Sequence, residues 1–408
     1  MSNGLSLSGA EGEHQHTDDE EEADPKPTTF RLERNCFALE GPGLNSLYKI
    51  GELIITMNAG KTGYTVLDLF CGCGGASLGF RQAGFKIVGA VDVDESACAT
   101  YRKNLGLRPL RADLRLLDGR KLLEALELRR GDVDVAVGCP PCQSYSSLHR
   151  TRSNGSEGGN YLIYAFVKIV GELRAPVVVM ENVPGLVSRR EFSDYLKEME
   201  EMGYSSHYSI LNAKDFGVPQ VRKRLVCISF KVRSGFPEVD FSEYFSNRVT
   251  TVRDAIGDLP PIGAGQTHPT IPNHRARSHS ERVMRIIAAI PKDGGSRKDL
   301  PRWMWLDCHR RLEENGGGAE NVYGRMWWDR PAPTITTRCT TPSSGRFIHP
   351  EQDRSITPRE AARLQTFPDD FVFPDSFAAA ERLIGNAFPP KFVANCVAPF
   401  IRAHDHLI

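Results

Sequence analysis

The chain has 408 residues, 40% of them hydrophobic, and sets 51 lysines and arginines against 51 aspartates and glutamates. That length supports a sizeable core, as two domains or one large domain with an insertion, and zero net charge excludes a uniformly basic or acidic molecule while leaving local patches open. Ten irregularly spaced cysteines are too sparse for a disulfide scaffold, and neither a secretory leader nor an apolar run of ~20 residues is visible, so the expectation is a soluble, intracellular protein.

Residues 1–28 read as a disordered acidic tail. Glu11 to Asp24 carries eight acidic residues, no Lys or Arg and no apolar period, so it cannot bury a core. His14 and His16 lie in this solvated stretch and are assigned no metal. From Thr65 the texture changes. TVLDLF (65–70), KIVGAVD (86–92), VDVAVG (133–138), PVVVME (176–181) and RLVCISF (224–230) are β-branched runs of strand length. Helical stretches are expected near 76–83, 95–104, 119–128, 161–173 and 191–202. This alternation predicts an α/β domain over 29–245, with a parallel sheet covered on both faces. Ligands of such sheets bind beyond the carboxyl ends of the strands. The pattern breaks near 246, and 246–355 is rich in Gly/Pro loops and holds all four tryptophans, Trp303, Trp305, Trp327 and Trp328, read as a small domain's own core. Residues 356–408 return to regular structure. Thr357, Pro358 and Glu360 form a capping box, and 389–404 reads as a closing helix.

The chemistry-bearing residues fall where the sheet puts them. In DLFCGCGGASLGF, Phe70, Cys71, Gly72, Cys73 and Gly74 lie between a strand and a helix, where glycines let a ligand approach the backbone. The dinucleotide pattern is incomplete, because Ser77 stands at the third glycine position. Asp92, followed by Val93, ends the second strand twenty residues past Gly72, a spacing that suits a ribose hydroxyl pair. Asp113, followed by Leu114, comes after a third short strand and could meet an adenine edge. The glycines alone fit a tight turn equally well. With Asp92 and Asp113 in step they favour a nucleoside cofactor, S-adenosylmethionine as readily as NAD.

VGCPPCQSYS, Val137 to Ser146, poses a choice between a metal half-site, a redox pair and one reactive thiol. No second ligand pair stands at zinc spacing, so no metal is expected. Cys142, past the strand end, occupies the partly exposed position a nucleophilic thiol wants, and Cys139 reads as a buried bystander. Glu181 closes the strand PVVVME, where desolvation could hold a carboxyl protonated as an acid; taken alone it reads as a helix cap, as does Asn182 beside it. In QVRKR, period-two alternation puts Arg222 and Arg224 on one face and Lys223 on the other, which could also be a solvated basic strand end.

DLFCGCGG, GCPPCQS, ENVPG, QVRKR and GNAFPP (385–390) occur in the order found in the DNA cytosine-5 methyltransferase family, and the chain resembles that family's bacterial-type modification enzymes over about residues 65–405. Phe388, where valine is commoner, is a conservative departure. The resemblance implies a Rossmann-like, S-adenosylmethionine-dependent methyltransferase sheet with an inserted, smaller target-recognition domain (246–355). It implies that Cys142 adds to C6 of a flipped-out cytosine, that Glu181 engages N3, and that Arg224 with Arg222 holds O2, while Gln220 organises the strand. Phe70, Cys71, Gly72, Cys73, Gly74, Asp92, Val93, Asp113, Leu114, Pro141 and Asn386 would line the cofactor. Its implied partner is double-stranded DNA, bound by a monomer, with a cognate restriction endonuclease acting on the same site. Between Pro272 and Arg311 ten Lys/Arg face four Asp/Glu, a local excess suited to phosphate contacts. Arg338 in TITTRCTTPSS suits backbone or groove contacts. A tRNA-type cytosine-5 methyltransferase shares the motifs but carries a Cys-Phe-Thr signature not seen here. A non-catalytic paralogue would lack residues that this chain keeps, and a thiol–disulfide enzyme leaves the glycine loop and Glu181 unexplained.

Overall fold

A computed structural model describes residues 63–141, 161–232, 240–314, 321–404 and 406. The acidic tail predicted at 1–28 and Cys142 lie outside the described residues. Strands β1 (Thr65–Leu69), β2 (Lys86–Asp92), β3 (Leu110–Arg111), β4 (Val135–Gly138), β5 (Val177–Asn182), β6 (Ser205–Asn212) and β7 (Lys223–Phe230) form one sheet in the order β3-β2-β1-β4-β5-β7-β6. The first five are parallel, but β7 runs antiparallel to both β5 and β6. The expectation of an all-parallel sheet is thereby corrected. Residues 213–222, which join β6 to β7, are too few for the dozen or more that a parallel crossover needs, so the chain returns in the opposite direction.

Period-two alternation assigns the two faces. Val66, Val135, Val137, Val177, Val179, Val226 and Ile228 share a core with Ala76 and Phe80 of α1 (Gly75–Gln82) and with Phe392–Ile401 of the closing helical stretch. Leu67, Leu69, Ala136, Val178, Met180, Leu225 and Cys227 face the other way. They pack on α4 (Tyr161–Leu173) and α5 (Arg190–Glu201), with Leu122 and Leu123 of α3 (Gly119–Ala125). Helix α2 (Glu95–Leu105) starts at an Asp94 cap, whose carboxylate accepts from the Ala97 N–H.

Beyond β7 the chain forms α6 (Val252–Ile256), α7 (Glu281–Ala289), α8 (Asp307–Glu314), α9 (Pro358–Leu364) and α10 (Phe377–Asn386). The capping box at Thr357 and Glu360 is present, with Pro358 at the first turn of α9. The closing stretch runs through Pro390–Phe392, Val393–Val397 and Ala398–Ala403, its middle segment wound as a π-turn. Residues 246–355 feed two cores. Val252, Ile256, Met326, Ile335 and Phe347 join α9, α10, Cys73 and Leu78. Ile286, Ile287, Ile290, Leu300, Trp305, Val322, Tyr323 and Ile348 form a smaller one. The four tryptophans therefore divide: Trp305 is core, Trp327 and Trp328 are half-buried, and Trp303, on a three-residue turn that buries none of its residues, is 76% exposed. Among the described residues no helix is long and apolar enough to cross a membrane.

Candidate active site

The loop after β1 holds three residues in the left-handed region: Phe70 (φ 66°), Gly72 (φ 53°) and Gly74 (φ 99°). Glycine adopts this freely, whereas Phe70 is a strained placement that its surroundings must maintain. The loop is pinned to β2, with Cys71 N donating to Val91 O at 2.9 Å and Gly72 N donating to Asp92 Oδ2 at 2.8 Å. Asp92 Oδ1 accepts from Asp94 N at 2.8 Å. Each carboxylate oxygen so engaged keeps a second lone pair for a ligand hydroxyl. Burial, opposed by those backbone N–H groups, holds the Asp92 carboxyl above its ordinary range.

Backbone beside this loop is open on one side and lined by the end of α10 on the other. A Cβ added at Gly72 would meet nothing within 4 Å, so the backbone there is open to an approaching group. Val93, directly after Asp92, is an apolar side chain 63% exposed. Arg382 of α10 donates to Asp94 Oδ1 at 3.1 Å and Cys73 Sγ lies 3.5 Å from Leu383 O, so the end of α10 is drawn against the loop. A Cβ at Gly75 would sit 2.4 Å from Phe388 O, which shows how closely the returning chain approaches. Asn386 there is exposed between buried neighbours. Phe70 is half-buried against Phe166. Cys71, Cys73 and Leu114 are buried and can offer a ligand only their backbone. Burial pushes the Cys73 thiol up to about 12 and the Cys71 thiol well above its ordinary value, so neither is a thiolate. Asp113 caps the turn at Leu114–Leu116, and its carboxylate is already gripped by Arg115, through Nε at 3.0 Å and Nη2 at 2.5 Å. That guanidinium holds the Asp113 carboxyl below its usual range and competes with the adenine contact expected of it.

One cluster here went unread in the sequence. Asp68, inside β1, is 1% exposed; Ser77 Oγ donates to its Oδ2 at 2.5 Å, and Tyr101 Oη donates to Ser77 Oγ at 2.8 Å. Burial, reinforced by the Asp92 charge, pushes the Asp68 carboxyl up to about 7. The available signal was an acidic residue in the middle of an otherwise apolar strand.

The strand ends on the other side of β1 assemble the second half of the site. β4 and β5 are paired in register, Gly138 beside Met180, and the Asn182 side-chain amide donates to Pro140 O at 3.1 Å. Asn182, which resembled a helix cap, thus straps the exit of β4 to the end of β5. Pro141 is exposed immediately before Cys142. On β5, Glu181 faces Val226 of β7, which makes Arg224 its diagonal neighbour on the same face. Arg224 Nε lies 2.9 Å from Glu181 Oε1. The contact is off the line of a hydrogen bond, and among the described residues this buried Oε1 has no hydrogen-bond partner. Arg224 Nη1 donates only to its neighbour's carbonyl, Lys223 O, at 2.7 Å. Cys139 sits half-buried beside Glu181; burial first and the Glu181 charge second push its thiol well above the ordinary value, the state of a bystander.

Arg222 does not join this group. Alternation leaves Val221 and Lys223 exposed, with Arg222 on the side of Arg224, but Arg222 is 1% exposed and both terminal nitrogens of its guanidinium are engaged inside the protein. Nη1 donates to Ile335 O at 3.1 Å, and Nη2 to Gly385 O at 3.0 Å and Ala387 O at 3.1 Å. Of the two arginines, only Arg224 reaches Glu181. Gln220 accepts from Ile335 N at 2.8 Å and donates to Gln365 Oε1 at 2.8 Å.

A sheet with helices on both faces, a glycine loop after β1 pinned to β2, and the Glu181–Arg224 pair across the adjoining ends of β5 and β7 make a Rossmann-like fold with its polar groups gathered at the strand ends. Comparison with known proteins narrows this. The sequence profile described as C-5 cytosine-specific DNA methylase matches residues 64–400. Type II methylase M.HgiDII of Herpetosiphon aurantiacus is 36% identical over 79% of this chain and 91% of its own length. Type II methyltransferase M1.HphI of Haemophilus parahaemolyticus is 37% identical over 80% and 83% respectively. A crystal structure described as a DNA modification methyltransferase encoded within an Escherichia coli prophage shares the fold, with a TM-score of 0.65 and 24% identity over 84% of this chain and 99% of that one. The chain belongs to the C-5 cytosine-specific DNA methylase family, and is a DNA (cytosine-5-)-methyltransferase.

Proposed function

We propose that the protein takes its methyl group from S-adenosylmethionine and adds it to C5 of one cytosine in a short, specific duplex sequence, through a covalent Cys142–C6 adduct. The observation that carries this is the buried Glu181 carboxylate, which among the described residues keeps an oxygen without a hydrogen-bond donor beside Arg224, at a strand end strapped to Pro140. A buried polar atom left unpaired costs about 1–3 kcal/mol, so a site that retains one is suited to a ligand that pairs it. A cytosine offers that pairing: its N4 amino group can donate to Glu181 and its O2 accept from Arg224, while a proton carried by the Glu181 carboxyl passes to N3 as the thiolate adds to C6. With N3 so engaged, electron density drawn from the ring makes C6 open to a thiolate and leaves C5 nucleophilic.

The crevice residues fit the cofactor. Asp92 would take the ribose hydroxyls, Val93 the adenine face, the Gly72 backbone the amino-acid end, and Asn386 the rim. S-adenosylmethionine, when bound, supplies an electrophilic methyl to C5; loss of the C5 proton and elimination of Cys142 then release the product. The stacked base must leave the duplex to present C6 to a thiol. The basic stretch 272–311 and the exposed Thr337–Arg338 edge would hold the DNA, within a recognition domain spanning 246–355. The similarity to type II enzymes supports a modification role, and with it go a cognate endonuclease at the same site, action as a monomer on DNA, and residence in the cytoplasm with the nucleoid.

The test is incubation with S-adenosylmethionine and unmethylated plasmid, then bisulfite mapping. Protected cytosines in one recurring short context are expected. Absence of protection, or substantial activity in Cys142→Ser, would overturn the reading; Cys139→Ser should retain turnover.

A further inference from the structure

Two distant segments meet on the residues just before β7. Ala332 N donates to Pro219 O at 2.9 Å, Val221 N donates to Ala332 O at 2.8 Å, and Thr334 Oγ1 donates to Val221 O at 2.7 Å. Ile335 is then held from both sides, its N–H by Gln220 Oε1 and its carbonyl by Arg222 Nη1. The same guanidinium reaches the turn after α10. Its Nη2 takes Gly385 O and Ala387 O, the carbonyls on either side of Asn386, while Gln365 Nε2 donates to Ile384 O at 2.5 Å. The two segments also touch directly. A Cβ added at Gly385 would lie 2.4 Å from the Thr336 carbonyl carbon and 2.5 Å from Thr337 N. Arg222 is therefore placed to read and fix the separation between the edge carrying Thr337 and Arg338 and the turn presenting Asn386.

We infer that Arg222 is a positioning residue that sets the Asn386 turn of the cofactor crevice against the Ile335–Arg338 segment, and that it does not touch the reacting base. This rests on reading the crevice as the cofactor pocket. An arginine suits the task because a planar fork can hold carbonyls from two segments at once, which a lysine ammonium cannot do with the same geometry. Its cost is a buried cation that, among the described residues, makes no ion pair and has an Nε lacking any acceptor. Such expense fits a required geometry better than stability alone.

The experiment is titration of the full-length protein with S-adenosylhomocysteine by calorimetry, paired with steady-state kinetics on the plasmid substrate. The variants are Arg222→Met, Arg222→Lys and Gly385→Ala, the last of which forces the junction apart without removing a charge. Binding stoichiometry reports the folded, competent fraction and Kd reports the positioning. The inference expects Arg222→Met and Gly385→Ala to weaken binding and raise the cofactor KM by about 10-fold, with kcat per competent site within about 3-fold; Arg222→Lys should fall between them and wild type. Reduced stoichiometry at unchanged Kd would mean a merely structural arginine, and kcat collapsing about 100-fold at unchanged cofactor KM would mean an arginine acting on the base; either result overturns the inference. Should Arg222→Met fail to fold, the other two variants carry the test. Failure of the wild-type protein to bind S-adenosylhomocysteine would instead overturn the assignment of the pocket.

Discussion

Two carboxylate–arginine pairs in this molecule, each built on a buried glutamate, use the same chemistry to opposite ends. In Glu360–Arg354, both residues fully buried, the guanidinium donates to both carboxylate oxygens at 2.8 and 2.7 Å, and the Thr357 backbone N–H adds a third bond at 2.7 Å. Burial alone would raise the Glu360 carboxyl, but Arg354 more than offsets it and the group titrates at about 2. In Glu181–Arg224 the contact is single and off-axis, one carboxylate oxygen has no hydrogen-bond donor among the described residues, and Arg224 spends a donor on its own neighbour's carbonyl. The first pair is complete without a ligand and the second is not. Satisfaction of hydrogen-bonding capacity, more than burial or residue type, separates a structural ion pair from one kept for substrate.

The comparison is open to direct attack. Glu181→Gln should lower kcat by about 100-fold or more, the range of a lost acid–base group, yet shift stability by only about 1 kcal/mol, since the amide oxygen can still face Arg224. Kinetics beside urea unfolding would check it, and a large loss of stability with activity retained would erase the distinction. Arg354→Met should do the reverse. An uncompensated Glu360 should cost about 3–5 kcal/mol, with activity per folded molecule unchanged.

Asp68 supplies a third case, a buried acid with no cation. Its carboxyl, raised to about 7, binds its proton in the folded protein where an unfolded aspartate has released it, so between about pH 4 and 7 this group's contribution to stability declines as pH rises. The sign follows from the folded state binding more protons than the unfolded one. Asp68→Asn should flatten that decline and leave the variant more stable than wild type at pH 8, measured by unfolding across pH. The smallest effect is expected at Arg115→Ala. Freeing the half-exposed Asp113 pair should change cofactor affinity by no more than about 5-fold, the worth of a surface ion pair, and in the direction of tighter binding if Asp113 contacts the ligand.

Much of this arrangement was legible in the sequence where burial wrote it. β1, β2, β4, β5 and β7 are apolar, β-branched runs because both their faces are covered. β6 was not, because SSHYSILN is an edge strand with Tyr208 and Ile210 exposed, so neither alternation nor continuous hydrophobicity marks it. The direction of β7 is a tertiary outcome of the short connection before it and leaves no local signature. At the site, Glu181 and Arg224 could be placed by strand ends and period. The fate of Arg222 could not, since nothing in QVRKR distinguishes an arginine facing a ligand from one consumed by carbonyls more than a hundred residues further along the chain.

The antiparallel return of β7 has a consequence for how the machine could be divided. Gly203, between α5 and β6, is exposed with open space around it. All that the proposed site draws from residues before it (the glycine loop, Asp92, Cys142, Glu181) would fall in one fragment, and Arg224, Arg222 and Asn386 in the other. The seam between them would include the β5–β7 pairing that sets Glu181 diagonal to Arg224. A chain opened at Gly203 should therefore behave as a two-piece reporter, silent as either half and methylating DNA only when β7 finds β5.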